Sequence, residues 1–204
     1  MNGDNEQYFS EPPPFMRQTA ETLAVLDDRL RGLLRDYARR EPAHDALAAE
    51  FGTLLDDPED PFRRERLAGH FTASCWLVSA DGQRLLLTHH RKLQRWLQLG
   101  GHADGDRDLA QVALKEAEEE SGLSGLVLED PAIFDLDKHW IPERKDVPGH
   151  WHYDVRFVIR ALGGEAFVLS EESLDLAWRP VTEVAADPES DESMQRMARR
   201  WLAR

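Results

Sequence analysis

Residues 100–123, GGHADGDRDLAQVALKEAEEESGL, join a glycine-rich loop to a short helix crowded with carboxylates. Residues three and four apart on an α-helix are neighbours, so Glu116 projects beside both Glu119 and Glu120. Three like charges on one face repel each other unless a cation neutralises them, and hard oxygen ligands suit Mg²⁺ or Mn²⁺. An isolated run of this kind is usually a solvated helix face. Here the spacing behind Gly100 and Gly101, with Gly122 placed to cap the helix C-terminus, favours a metal-binding helix. Asp104, Asp106 and Asp108 alternate like the ligands of a Ca²⁺ loop, but no Glu closes a twelve-residue frame. They read as acids near a helix N-terminus.

Outward from this stretch, the flanks read as strands. HFTASCWLVSA and QRLLLTHH surround Asp81-Gly82, a hairpin signal, and WLQL runs into the glycine-rich loop. After the acidic helix come LVLEDPAIFDLDKHWI, HWHYDVRFVIRAL and LDLAWRP, then a final helix from about Glu192 to Ala203. Strands around a central helix, with another helix at the end, indicate an α/β or α+β sandwich. Upstream, Leu23, Leu26, Leu30, Leu33, Leu34 and Tyr37 recur at three- and four-residue intervals and predict an amphipathic helix to about Arg40. Pro42 interrupts it, and Leu47, Phe51, Leu54 and Leu55 mark a second. The chain therefore divides into a polar arm over 1–15, a helical extension over 16–65 and a catalytic body over 66–204. The extension reads as packing or as a homodimer contact.

The 204 residues carry 39 acidic and 25 basic side chains, a net charge of -14. That field argues against sequence-independent binding to duplex nucleic acid or anionic membrane, and a phosphate substrate needs metal ions or a local basic cluster. The arm reads as no signal peptide, and no apolar run approaches the roughly 20 residues of a membrane span. The single cysteine, Cys75, excludes an internal disulfide, fits a reducing cytoplasm, and with Ala73 and Leu77 reads as a buried apolar residue.

His150-Trp151-His152-Tyr153-Asp154-Val155-Arg156-Phe157 alternates so that His150, His152, Asp154 and Arg156 share one strand face. The aromatic side, including Trp151, reads as core, as does Trp140, and the polar side reads as the lining of a cleft. Two imidazoles at strand spacing can hold one metal or serve as hydrogen-bonded structural groups. Arg156 is the expected phosphate clamp because guanidinium binds phosphate bidentately. His89, His90, Arg91, Lys92 and Arg95 form a basic loop, read either as a solvated turn or as a phosphate contact through Arg91 and Arg95.

The run from Gly101 to Leu123 resembles the Nudix box: Gly, five residues, Glu, seven residues, Arg-Glu-apolar, one residue, Glu-Glu, one residue, Gly-apolar. Gly101, Glu116, Ala117, Glu119, Glu120, Gly122 and Leu123 match in register. Arg107 stands at the first Glu position and Lys115 replaces Arg, both supporting positions in the family, and Lys115 can pair with Glu119. The resemblance spans about residues 68–190. It implies a Nudix fold, a mixed sheet sandwiched between helices, and metal-dependent hydrolysis of a nucleoside diphosphate linked to another group. It also implies metal ligands at Glu116, Glu119, Glu120 and the Gly101 carbonyl. Glu119 or Glu120 is the expected general base, with Glu171 and Glu172 as rivals.

A second resemblance is to isopentenyl diphosphate isomerase, a Nudix-fold relative. Its metal-binding positions match His70, His102, and His150 with His152. A four-histidine site selects Zn²⁺, Mn²⁺, Fe²⁺ or Ni²⁺ over Mg²⁺. The isomerase's cysteine is replaced here by Gly100, which counts against that activity. A non-catalytic nucleotide sensor is the third reading, left open by Arg107.

Overall fold

The computed structural model describes residues 19–91, 94–144, 147–169 and 173–204. Helix α1 (Ala20–Arg40) and helix α2 (Asp45–Leu55) are joined by a short turn at Pro42–His44. Then follow β1 (His70–Val78), β2 (Arg84–His90), β3 (Arg95–Leu97), β4 (Gly100–His102) and α3 (Leu109–Ser121). The chain ends in β5 (Leu126–Leu128), β6 (Asp135–Ile141), β7 (His150–Ala161), β8 (Ser173–Pro180), α4 (Val181–Ala186) and α5 (Glu192–Leu202). The polar arm lies outside the described residues.

β1 and β7 run parallel at the centre, in register from His70 opposite His152 to Val78 opposite Arg160. β2 and β4 pair antiparallel with β1, β5 and β6 with β7, and β3 and β8 with β2, which makes the sheet mixed. A central parallel strand is covered on both faces, which is why β1 reads as an almost unbroken apolar run and is buried throughout.

Alternation sends Phe71, Ala73, Cys75, Leu77, Val155, Phe157 and Ile159 to one face, where α1, α2 and α3 pack in a single core. Phe51 of α2 anchors the extension there, with ring centres 6.0 Å from Phe71 and 5.2 Å from Tyr153. Full burial of each such side chain is worth roughly 1.5–3 kcal/mol, so the extension is integral to the core that supports the sheet. The opposite face carries Trp76, Val78, Leu85, Leu87, Phe134 and Val158 under α4 and α5. Ahead of that apolar patch the same face is polar, with His70, Thr72 and Ser74 on β1 beside His152, Asp154 and Arg156 on β7.

Two sequence expectations need correction. Trp140 and Trp151 are 51% and 38% exposed, because the helical cover ends before this part of the β6–β7 hairpin, and their rings meet edge-on at 5.2 Å. Gly100–His102, expected as loop, is a strand: its backbone runs against β1, and a Cβ at Gly100 would lie 2.5 Å from Ser74 Oγ.

Candidate active site

Asp108 caps α3, its Oδ1 accepting from Gln111 N at 3.3 Å, and Gly122 ends the helix with φ 66°. The buried stripe Leu109, Ala110, Val112, Ala113, Ala117 and Ser121 fixes the rotation of the helix about its axis. Glu116 and Glu120 therefore fall half-buried at the edge of that stripe, whereas Glu119 is exposed and pairs with Lys115 at 3.6 Å. Glu116 lies against Gly101 so closely that a Cβ there would be 2.5 Å from its Oε2. The sequence brings carboxylate and backbone together by placing Gly at 101. Cys75 is buried; burial first, then the charges of Glu120, Asp154 and Glu116, push its thiol well up, so it is no thiolate nucleophile.

His102 follows Gly101 on β4 and points to the opposite face. There its ring centre lies 5.2 Å from that of His70 and 5.0 Å from that of His152, while His70, His150 and His152 are mutually 5.0 Å apart. Imidazole nitrogens about 2.1 Å from one tetrahedral ion put ring centres roughly 5 Å apart. Ligand nitrogens of His70, His150 and His152 lie within 4.8 Å of one another, a set that fits a shared ion, and His102, expected as a fourth ligand, stands beside that set but is not part of it. His70 Nδ1 donates to Arg66 O at 3.1 Å and His150 Nδ1 to Pro148 O at 2.8 Å. A carbonyl can only accept, so in the neutral rings both Nε2 atoms are bare. His150 Nε2 faces His152 Nε2 at 3.2 Å, and the buried His70 Nε2 has no hydrogen-bond partner. Burial and the Arg64 charge lower His102 to about 4; burial and the neighbouring histidines lower His152 to about 2. Burial also lowers His70. These three rings are neutral near pH 7, the form that ligates metal.

Beneath the histidines lies a buried ionic layer, and it overturns the expected role of Arg156. Its side chain is 5% exposed and contacts Asp154 at 2.8 Å, Asp137 at 3.1 Å and Asp135 at 3.3 Å. A guanidinium enclosed by three carboxylates has no fork left for a phosphate, so Arg156 is a structural hub. The sequence reading missed Asp135, Asp137 and His139, although they alternate on β6 as His150, His152 and Asp154 do on β7. His139 pairs with His152 across the strands, its ring 5.5 Å away, and its Nδ1 is 3.0 Å from Asp137 Oδ2.

Arg91 and Arg95 are exposed at the β2–β3 turn. Beside them His89 rests 5.2 Å from the Trp96 ring, whose face Arg179 also covers at 5.2 Å. Lys92, Glu171 and Glu172 lie outside the described residues.

Residues 69–201 match the family model for the NUDIX domain. A NUDIX-family hydrolase from Clostridium perfringens superposes on 66% of this chain and 96% of its own, at 20% identity and a TM-score of 0.50. An Ap4A hydrolase from C. elegans gives 65% and 95%, 17% identity and 0.50. A MutT protein from Methanosarcina mazei Go1 gives 68% and 96%, 17% identity and 0.51. Comparison with curated proteins yields no match. At these identities the structures share the fold alone, whereas the family model spans well over half of the sequence and contains the whole carboxylate helix. The chain belongs to the NUDIX domain family.

Proposed function

We propose that this chain hydrolyses the diphosphate bridge of a nucleotide derivative or related small metabolite, using Mg²⁺ or Mn²⁺ held by Glu116, Glu119, Glu120 and the Gly101 carbonyl. The observation that carries this reading is the Glu116 carboxylate pressed onto the Gly101 backbone. It supports a shared oxygen site that any side chain at 101 would fill. A bound divalent ion supplies charge neutralisation of the diphosphate oxygens and a lowered pKa for water. The chain's own part is to hold Glu116 and Glu120 at the sheet edge and to accept the proton of the attacking water on Glu119 or Glu120. Arg91 and Arg95 offer positive charge at the surface of an otherwise acidic protein, suited to an anionic substrate.

Gly101→Ala tests the oxygen site. The added methyl displaces Glu116, and we expect about a tenfold rise in the Mn²⁺ concentration giving half-maximal activity, equivalent to roughly 1.4 kcal/mol. An unchanged metal titration would rule out the shared site. Phosphate release from ADP-ribose, dinucleoside polyphosphates, sugar nucleotides and nucleoside triphosphates then identifies the substrate class. No turnover on any of them would remove support for the reading.

His70, His150 and His152, with His102 beside them, offer a second site suited to Zn²⁺, Mn²⁺, Fe²⁺ or Ni²⁺, on the other face of β4 from the carboxylates. Elemental analysis after mild purification is expected to find about one transition-metal ion per chain, lost in His70→Ala with His152→Ala. A metal-free wild type that takes up no Zn²⁺ would exclude it. The isomerase alternative is disfavoured sterically as well as by the missing thiol, because Gly100 lacks room for any Cβ against Ser74.

A further inference from the structure

Arg107 stands where the box pattern has a Glu, and its surroundings are inverted to match. Its side chain is 15% exposed; Nη1 is 3.2 Å from Asp27 of α1 and Nη2 is 3.5 Å from Asp60 of the segment joining α2 to β1. The guanidinium lies 4.6 Å over the Phe62 ring. One residue on, Asp108, the α3 cap, accepts from Arg29 of α1 at 3.2 Å. Just before, Asp104 is held by both arms of Arg64, and Gly105 N donates to Phe62 O at 2.8 Å. The loop that launches the carboxylate helix is thus gripped along its length by residues from 27 to 64.

We propose that the N-terminal extension is a positioning element of the metal site, with Asp27 and Asp60 acting through Arg107, and Arg29 through Asp108, to set the start of α3. This rests on the reading of Glu116, Glu119 and Glu120 as metal ligands. The helix is rigid, so a shift at residue 108 is carried the roughly 12 Å to Glu116 and moves the carboxylate against Gly101. Burial raises the Asp27 carboxyl even though Arg107 opposes it, so losing Arg107 leaves that carboxylate in a setting that disfavours its charge. The family residue is consequently the wrong one here. A Glu at 107 meets two acids supplied by the extension.

The test is Mn²⁺ binding to the full chain carrying His70→Ala and His152→Ala, a background that removes the histidine site and serves as the wild type of the comparison, followed by the electron paramagnetic resonance of free Mn²⁺ at a temperature where circular dichroism shows each variant folded. Arg107→Glu is expected to weaken Mn²⁺ binding at least tenfold, and the milder Arg107→Gln about threefold. Combining Asp27→Lys with Arg107→Glu should return affinity to within about threefold of wild type, although neither side chain touches the metal. A helix support that matters only for stability would shift the melting temperature and leave the Mn²⁺ curve of folded protein unmoved; that result overturns the proposal. So does a charge-swapped double variant no better than Arg107→Glu. Should Arg107→Glu not fold, Arg107→Gln alone decides, a wild-type Mn²⁺ curve counting against the proposal. Failure of the wild type to bind Mn²⁺ would instead overturn the metal-ligand reading beneath it.

Discussion

Glu120→Gln is expected to lower kcat by about three orders of magnitude, within the range for loss of a positioned proton acceptor, while the protein stays folded. The substitution is isosteric and the residue only half-buried, so the helix keeps its packing. In metal-free protein it removes one negative charge from the carboxylate helix while keeping the side chain's shape and hydrogen-bonding capacity. A variant at least as stable as wild type but nearly inactive separates chemistry from folding. Metal concentration then separates two roles. Recovery of kcat at saturating Mg²⁺ makes Glu120 a ligand whose loss weakens binding, whereas a kcat that stays low makes it the base. Glu119→Gln is the parallel variant, because Glu119 is the rival for the base although it is exposed and faces Lys115; the larger loss of kcat at saturating Mg²⁺ identifies the base. Wild-type rates in Glu120→Gln at every Mg²⁺ concentration would deny it either part.

Local pattern disclosed the elements with strong periodicity. The leucines from Leu23 to Leu34 foretold α1, the Asp81-Gly82 turn foretold the β1–β2 hairpin, and Gly122 foretold the C-terminal end of α3. What pattern could not disclose was depth. Alternation along β7 assigned Arg156 to the polar side, yet whether that side is open depends on α5, whose Ser193, Met197 and Arg196 arrive some 40 residues later in sequence and cover it. Trp151 failed for the converse reason: it lies on the helix-covered face, but beyond the reach of the helices. β4 escaped notice because two glycines have poor strand propensity, and only the close approach to Ser74 explains them.

The two candidate sites differ in how much of each was legible. Glu116, Glu119 and Glu120 lie within five residues, so helical spacing alone joins them. His70, His102 and His150 lie on three strands, and their convergence follows from β1 pairing with both β4 and β7, with Thr72 opposite His102 and His70 opposite His152. Spacing alone gave the pair His150 and His152. The match between Arg107 and Asp27 had no local signal at all, since 80 positions separate them.

Asp135→Ala is expected to destabilise the fold by about 3–5 kcal/mol, the cost of removing one partner from a buried charge network. Asp135 has no exposure and accepts from Arg196 Nη2 at 2.6 Å, from Arg200 Nη1 at 3.1 Å, and from Arg156 Nη1 and the Tyr37 hydroxyl at 3.3 Å. It ties β6 to β7, α5 and α1 at once, and its loss leaves three guanidiniums short of an acceptor. At roughly 2–4 °C per kcal/mol for a chain of this size, the melting temperature should fall by about 6–20 °C. Arg156→Met should fall in the same range, because Asp154, Asp137 and Asp135 then share a buried site with less positive charge. Burial raises Asp137, but its hydrogen bond with His139 and the Arg156 charge outweigh that and hold it below its ordinary 3.8. Its contribution is therefore complete above 3.8 and lost as pH falls through the lower folded value, so wild type should lose stability in that acid window and Arg156→Met should lose less there. A phosphate clamp predicts the opposite pattern for Arg156: a raised KM at an unchanged melting temperature. Thermal denaturation of Asp135→Ala and Arg156→Met decides between them, and a fall below 2 °C in both would remove the network from the account of stability.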